Sequence, residues 1–269
     1  MFHLENDDCL EGMRLMESNS IDLVVTSPPY NLGISYSQYK DDADRESFLT
    51  WSKQWATEVK RLMKKEASFF LNIGAAPSNP LLPHQMALTL CSGELGFQLQ
   101  NTFHWIKSIS VTTKSGQTIS AGHFKPIRSE RYVNDCHEYL FHFSKTGNVP
   151  IQRREAGVEY VDKSNVSRWK HTQGEDKRCR GNTWFVPYET IKSRSQDRPH
   201  PATFPIGLVE QCIKLHGIQK INHMLDPFLG IGTSALAARR MKISNFTGFE
   251  IDPGYLSVAR ERLEAETTN

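Results

Sequence analysis

The residues best suited to chemistry lie in Thr26-Ser27-Pro28-Pro29-Tyr30, which ends the apolar run from Ile21 to Val25. Two successive prolines remove two backbone donors and fix two φ angles, so a strand cannot continue beyond Thr26. The result is a rigid exit that holds a hydroxyl, a carbonyl and a phenol in a fixed array. Ser27, Pro28, Pro29 and Tyr30 are therefore the candidate catalytic residues.

A second constellation lies near the other end. In Leu225–Ala238, Gly230 and Gly232 stand between an expected strand and an expected helix, where the backbone can approach a ligand closely. Glu250 ends the next expected strand, at the spacing where an acid meets ribose hydroxyls. The loop lacks the third glycine of a dinucleotide site and the lysine of a P-loop, since Thr233 and Ser234 follow Gly232. Asp226 would repel phosphate but could hold an ammonium. A ligand with adenosine at one end and an amino acid at the other is S-adenosylmethionine.

These residues together resemble the DNA amino-methyltransferases. "DPFLGIGT" is similar to their motif I, "GFEID" to motif II and "TSPPY" to the catalytic motif IV; "NDDCLEG" resembles the segment that contacts the adenine of the cofactor, and "RPHPATFP" (Arg198 to Pro205) resembles motif X. The order, catalytic motif before cofactor loop, is similar to the permuted β-class. The resemblance implies S-adenosylmethionine as cofactor, held by Asp8 and Cys9, by Thr26, and by His200, Pro201, Thr203 and Phe204. It also implies contacts from Asp226, Pro227, Phe228, Gly230, Gly232 and Thr233 in the loop, and from Glu250 and Ile251 beyond it. His200 could equally cap the turn before Pro201.

An exocyclic amine is a poor nucleophile because its lone pair is delocalised into the base. Acceptors on its hydrogens, here Ser27 Oγ and the Pro28 carbonyl, would localise that lone pair, with the prolines fixing where the carbonyl points. Tyr30 would stack on a base rotated out of double-stranded DNA. In the family a serine at the first position of this motif goes most often with cytosine N4, and Asp or Asn with adenine N6. The expectation is N4-cytosine methylation; the alternatives are N6-adenine methylation on the same scaffold and a catalytically silent DNA-binding protein. A protein-glutamine methyltransferase would carry its NPPY-type motif after the cofactor loop, and RNA is the less favoured nucleic acid. The resemblance admits a homodimer and a separately acting cognate restriction endonuclease as partners.

The elements that must position these residues follow from periodicity. The chain has 269 residues, 38% hydrophobic and 23% charged, which suits one large α/β domain with a small embedded subdomain. Helix alternates with strand: a helix from Cys9, the strand from Ile21, a long amphipathic helix over Ser47–Glu66, and a strand ending at Gly74. A helix follows from His84, then strands over Gln98–Ser108 and Cys136–Lys145. After Pro205 the order is helix, strand, glycine loop, helix, strand and final helix. The expected fold is a Rossmann-like S-adenosylmethionine-dependent methyltransferase: a mostly parallel central sheet with helices on both faces, circularly permuted, with an inserted target-recognition region. Residues 1–145 form the catalytic half, 146–198 the target-recognition region and 199–269 the cofactor-binding half.

That middle region is basic, with aromatics interleaved, and reads either as a solvated excursion or as a nucleic-acid contact. Within it, "GNTWFVPYETI" suggests the region's own core. Lys107 is a candidate phosphate contact or a plain surface lysine; His123, Lys125, Arg128 and Arg131 form a group suited to the DNA backbone. Asn72 and Gly74 could line the cofactor pocket or form a turn. Five widely spaced cysteines without a CxxC pair, and ten histidines without HxxxH, suggest neither disulfides nor a metal site. No apolar run approaches the roughly 18 residues of a membrane span, and the first residues lack the order of a signal peptide, so the expected setting is cytoplasmic.

Overall fold

β-Branched and aromatic runs flanked by Gly and Pro become the strands of a single sheet, and the amphipathic stretches between them cover its two faces. A computed structural model describes residues 1–31, 33, 34, 36–112, 116, 118–122, 129–133, 135–172, 174–188 and 203–267. The first half runs β1 (Phe2–Glu5), α1 (Cys9–Leu15), β2 (Ile21–Thr26), α2 (Arg45–Leu62), β3 (Met63–Ile73), α3 (Leu82–Cys91), β4 (Gln98–Thr112), β5 (Thr118–Gly122) and β6 (His137–Ser144). The second half runs α4 (Ser164–Arg168), β7 (Thr183–Pro187), α5 (Ile206–His216), β8 (His223–Asp226), α6 (Thr233–Arg240), β9 (Asn245–Phe249) and α7 (Pro253–Thr267).

The strand order is β1-β9-β8-β2-β3-β6-β4-β5, with β7 also paired to β4. Strands β1, β9, β8, β2 and β3 are mutually parallel, whereas β6 is antiparallel to both β3 and β4. Alternation along each strand sends residues to two cores. Leu23, Val25 and Phe70 pack with α5, α6 and α7 on one face. Val24, Phe69 and Leu71 pack with α1, α2 and α3 on the other. The parallel strands, buried on both faces, read as continuous apolar runs for that reason.

Three expectations need correction. The long helix stops at Leu62 rather than Glu66, because Met63 is extended and fully buried and pairs with Ile21, while Lys64 forms an ion pair with Asp22 at 2.7 Å. Strand β1 was not foreseen; at four residues it is too short to show a period, and it is fixed by pairing with β9 from the far end of the chain. The segment around Trp184 is not a separate core of the recognition region. It forms β7, parallel to β4, and Trp184 lies in the main core with its ring 4.5 Å from that of Phe103.

Candidate active site

The parallel strands all end at one edge of the sheet, and the functional residues follow those ends. Asp7 and Asp8 follow β1, Ser27 follows β2, Pro227 follows β8, Glu250 follows β9, and Asn72 and Gly74 lie at the end of β3. Because β6 runs the opposite way, its start brings Glu138 to the same edge, and the later half of β4 brings Lys107. Between β8 and β2 the chain order reverses direction across the sheet, and open α/β sheets form their ligand crevice at such a point.

A cleft of about 1040 Å³, its open mouth included, occupies that place. From the expected residues its walls take Asp8, Cys9, Ser27, Pro28, Pro29, Tyr30, Thr203, Phe204, Pro227, Phe228, Gly230, Thr233, Glu250 and Ile251. Glu250 accepts from Gly230 N at 2.8 Å and Asp252 N at 2.9 Å, so its carboxylate shapes the glycine loop; burial pushes its pKa up. Each of its oxygens keeps a second lone pair, suited to a hydroxyl donor. Asp8 caps α1, accepting from Leu10 N at 2.8 Å. The Cys9 thiol is buried and its pKa is pushed far up by burial, which keeps it in the neutral form.

Four expected residues are placed otherwise. Asp226 is 1% exposed and its carboxylate faces inward, accepting from Thr26 Oγ1 at 2.5 Å, from Phe228 N at 3.0 Å and from Ser234 Oγ. Its side chain therefore ties β2, β8 and α6 together beneath the cleft floor instead of meeting a ligand ammonium, and burial pushes its pKa up to about 6. Thr26 is consumed by the same bond and is fully buried. Gly232, at φ +78°, caps α6; a Cβ there would lie 2.9 Å from that of Ala259, so this glycine serves helix packing. Lys107 is not a free phosphate contact: its Nζ lies 3.0 Å from Glu138.

Ser27 belongs to a polar chain. Its Oγ is 2.7 Å from the Tyr30 hydroxyl, which donates to Glu138 Oε2 at 3.0 Å. Asn72 Nδ2 donates to Tyr30 Oη at 2.7 Å and to Glu138 Oε2 at 2.6 Å. Asn72 and Gly74 thus stand behind Tyr30 rather than on the cofactor wall. Burial, followed by the Glu138 charge, pushes the Tyr30 pKa well above that of a free phenol. Its ring stays a neutral donor.

The loop between Tyr30 and α2 adds a wall that sequence reasoning missed. Asp41 is 2% exposed and accepts from Asn31 N at 2.7 Å and Ile34 N at 3.1 Å. The loop so gathered brings Tyr36, Gln38 and Tyr39 to the cleft. Tyr39 packs 5.9 Å from Trp51, which lies 5.5 Å from Phe228, making an aromatic side to the cavity. The only sequence signal was the spacing of Tyr36 and Tyr39 after the proline pair. Tyr255, from α7, closes the side next to Glu250.

Of the proposed DNA contacts, Arg131 is exposed in the segment leading into β6, with its guanidinium 5.8 Å from the Tyr132 ring. His123, Lys125 and Arg128 lie outside the described residues, as do His200 and Pro201. In the basic middle region Lys163 pairs with Glu159 and Asp176, and Arg154 with Glu175, whereas Arg153, Arg168, Lys170 and Lys177 are exposed. Among the described residues no helix is long and apolar enough to cross a membrane, and no group of three or more His, Cys, Asp or Glu could hold a metal.

Comparison with known proteins agrees with this geometry. The type II methyltransferase M.ScaI of Streptomyces caespitosus is 30% identical over 98% of this chain and 81% of its own length. M.HpaI of Haemophilus parainfluenzae is 23% identical over 96% of this chain and 73% of its own. Among solved structures, the cytosine-N4-specific PvuII DNA methyltransferase superposes with a TM-score of 0.67 at 20% identity, covering 99% of this chain and 90% of that one. A DNA modification methylase of Thermus thermophilus, TTHA0409, solved with S-adenosyl-L-methionine, gives 0.63 at 22% identity, covering 99% of this chain and 96% of that one. These likenesses show the α/β methyltransferase fold. The N6/N4 DNA methylase family matches residues 21–261, and the chain belongs to that family.

Proposed function

We propose that this DNA methyltransferase transfers a methyl group to the exocyclic N4 amine of a cytosine flipped out of double-stranded DNA, with the motif order of the permuted β-class. The observation that carries the reading is the juxtaposition of Ser27, Pro28 and Tyr30 with the Gly230–Glu250 wall in one cleft. The methyl donor is S-adenosylmethionine, which supplies an electrophilic methyl group when bound. Glu250 and the backbone of Gly230 would hold its ribose side, Asp8 and Ile251 its adenine, and Thr203, Phe204 and Pro227 its amino-acid side. Asp226 and Thr26 hold the floor of that pocket.

Ser27 Oγ and the Pro28 carbonyl accept the amine hydrogens and draw the nitrogen toward a tetrahedral shape. The proline pair holds both acceptors in place without reorganisation at the moment of transfer. Tyr30, anchored at its hydroxyl, offers its ring face to the base. The reading assigns target recognition to residues 146–182 together with Arg131 and the basic group before it. It admits a homodimer and a separately acting restriction endonuclease, in a prokaryotic cytoplasm.

Single-turnover transfer of a labelled methyl group to duplex DNA tests the reading. Ser27→Ala is expected to slow transfer about 100-fold, the order found for one lost transition-state hydrogen bond, with cofactor affinity unchanged. An equal loss of cofactor affinity contradicts the role given to Ser27.

A further inference from the structure

Glu138 stands in no motif read from the sequence, and the roles above do not use it. It is nonetheless the end point of the polar chain that starts at Ser27. Three groups converge on its carboxylate: the Tyr30 hydroxyl at 3.0 Å, Asn72 Nδ2 at 2.6 Å and Lys107 Nζ at 3.0 Å. No side chain intervenes between Tyr30 and Glu138, because position 74 is glycine. A Cβ there would lie 3.1 Å from the Tyr30 ring and 3.3 Å from Glu138 Cγ.

The direction of each hydrogen bond follows from counting hydrogens. An ionised carboxylate has acceptors only, and a tyrosine hydroxyl has one hydrogen. Tyr30 gives that hydrogen to Glu138, so its oxygen can only accept, from Asn72 at 2.7 Å and from Ser27 at 2.7 Å. Ser27 also has one hydrogen, and it points to Tyr30. What remains on Ser27 Oγ toward the cleft is lone-pair density. Had the chain run the other way, Ser27 would meet an amine hydrogen with a hydrogen of its own.

We infer that Glu138 is a positioning residue, which by accepting the Tyr30 hydrogen sets the polarity of the Ser27–Tyr30 chain so that Ser27 Oγ meets the substrate amine as an acceptor. Lys107 and Asn72 hold the carboxylate in place for that task. The inference rests on the reading of Ser27 as an acceptor of amine hydrogens. It concerns hydrogen-bond direction and adds no proton transfer to the reaction.

Glu138→Gln offers one acceptor oxygen to three donors and so releases the polarity. Single-turnover transfer is expected to slow about 10-fold or more, with the Kd for S-adenosylmethionine changed by less than about twofold. In the Ser27→Ala background Glu138→Gln should slow transfer no further, because the acceptor it orients is gone. Glu138→Asp, checked for folding by circular dichroism, should recover part of the rate. A Glu138→Gln effect of undiminished size in the Ser27→Ala background overturns the inference, since a general structural role would act in both.

A second readout needs no substrate. Tyrosine labelled with carbon-13 at Cζ, with the Tyr30 signal assigned by Tyr30→Phe, should shift in Glu138→Gln as the phenol loses its charged acceptor. An unmoved signal overturns the hydrogen-bond direction. If wild-type protein transfers no methyl group to DNA while this signal shifts as expected, the functional reading fails and the assigned direction stands.

Discussion

Asp226 shows how a residue can be found by pattern and misassigned in role. Its place at a strand end before a glycine loop is visible in the sequence, but which way its carboxylate faces depends on Thr26, two hundred positions earlier, and on Ser234. No local pattern carries that pairing. Removing the carboxylate leaves three buried donors unsatisfied, each worth about 1–3 kcal/mol. Asp226→Ala should therefore lower unfolding free energy by about 3 kcal/mol and weaken S-adenosylmethionine binding through a loosened loop, measured by urea denaturation and calorimetry. Normal cofactor affinity in this variant would contradict the clamp. The same limit hid Glu138 and Asp41, whose partners lie on other elements, whereas the proline pair and the glycine loop announce themselves because their constraint is local.

Among elements, the alternation of helix and strand was legible because it rests on burial period, and the sheet edge that gathers the site follows from parallel pairing. The short β1 and the placement of β7 were not, since both are decided by what they pair with. Beneath the site the sheet holds a buried chain in which Asn101 donates to His142 Nδ1 at 3.0 Å, His142 donates to Ser68 Oγ at 2.9 Å, and Ser68 donates to His216 Nδ1 at 2.9 Å. The chain requires both imidazoles neutral, and burial pushes their pKa values down to about 3 and about 4 from an ordinary 6.5. The stability they contribute is complete above about pH 6.5 and is lost as pH falls toward those values, because the unfolded chain takes up protons that the fold refuses. Asp226 and Glu250, with raised pKa values, act with the opposite sign over part of that range, so the difference between variants isolates the histidine. His216→Gln should flatten the dependence of unfolding free energy on pH between about 5 and 6 by about 1.4 kcal/mol per unit, one proton's worth. An unchanged slope would show that His216 is not held neutral.

At the scale of the whole molecule, a net charge of +2 is too small to drive DNA binding, so the distribution of charge must do it. The exposed basic residues of the middle region and Arg131 lie on segments that leave or enter the sheet, and which of them touch DNA was not legible from a run without pattern. If Arg131 meets a phosphate, Arg131→Ala should reduce the slope of log affinity against log salt by about 1, read from DNA-binding titrations at several salt concentrations. An unaltered slope would remove Arg131 from the interface. The target base is the central claim, and it depends on a single serine at the head of the proline pair. Its most direct test is mass spectrometry of nucleosides from unmethylated genomic DNA, digested after incubation with the protein and S-adenosylmethionine. N4-methylcytosine is the predicted product; N6-methyladenine, or no modified base at all, would contradict the account.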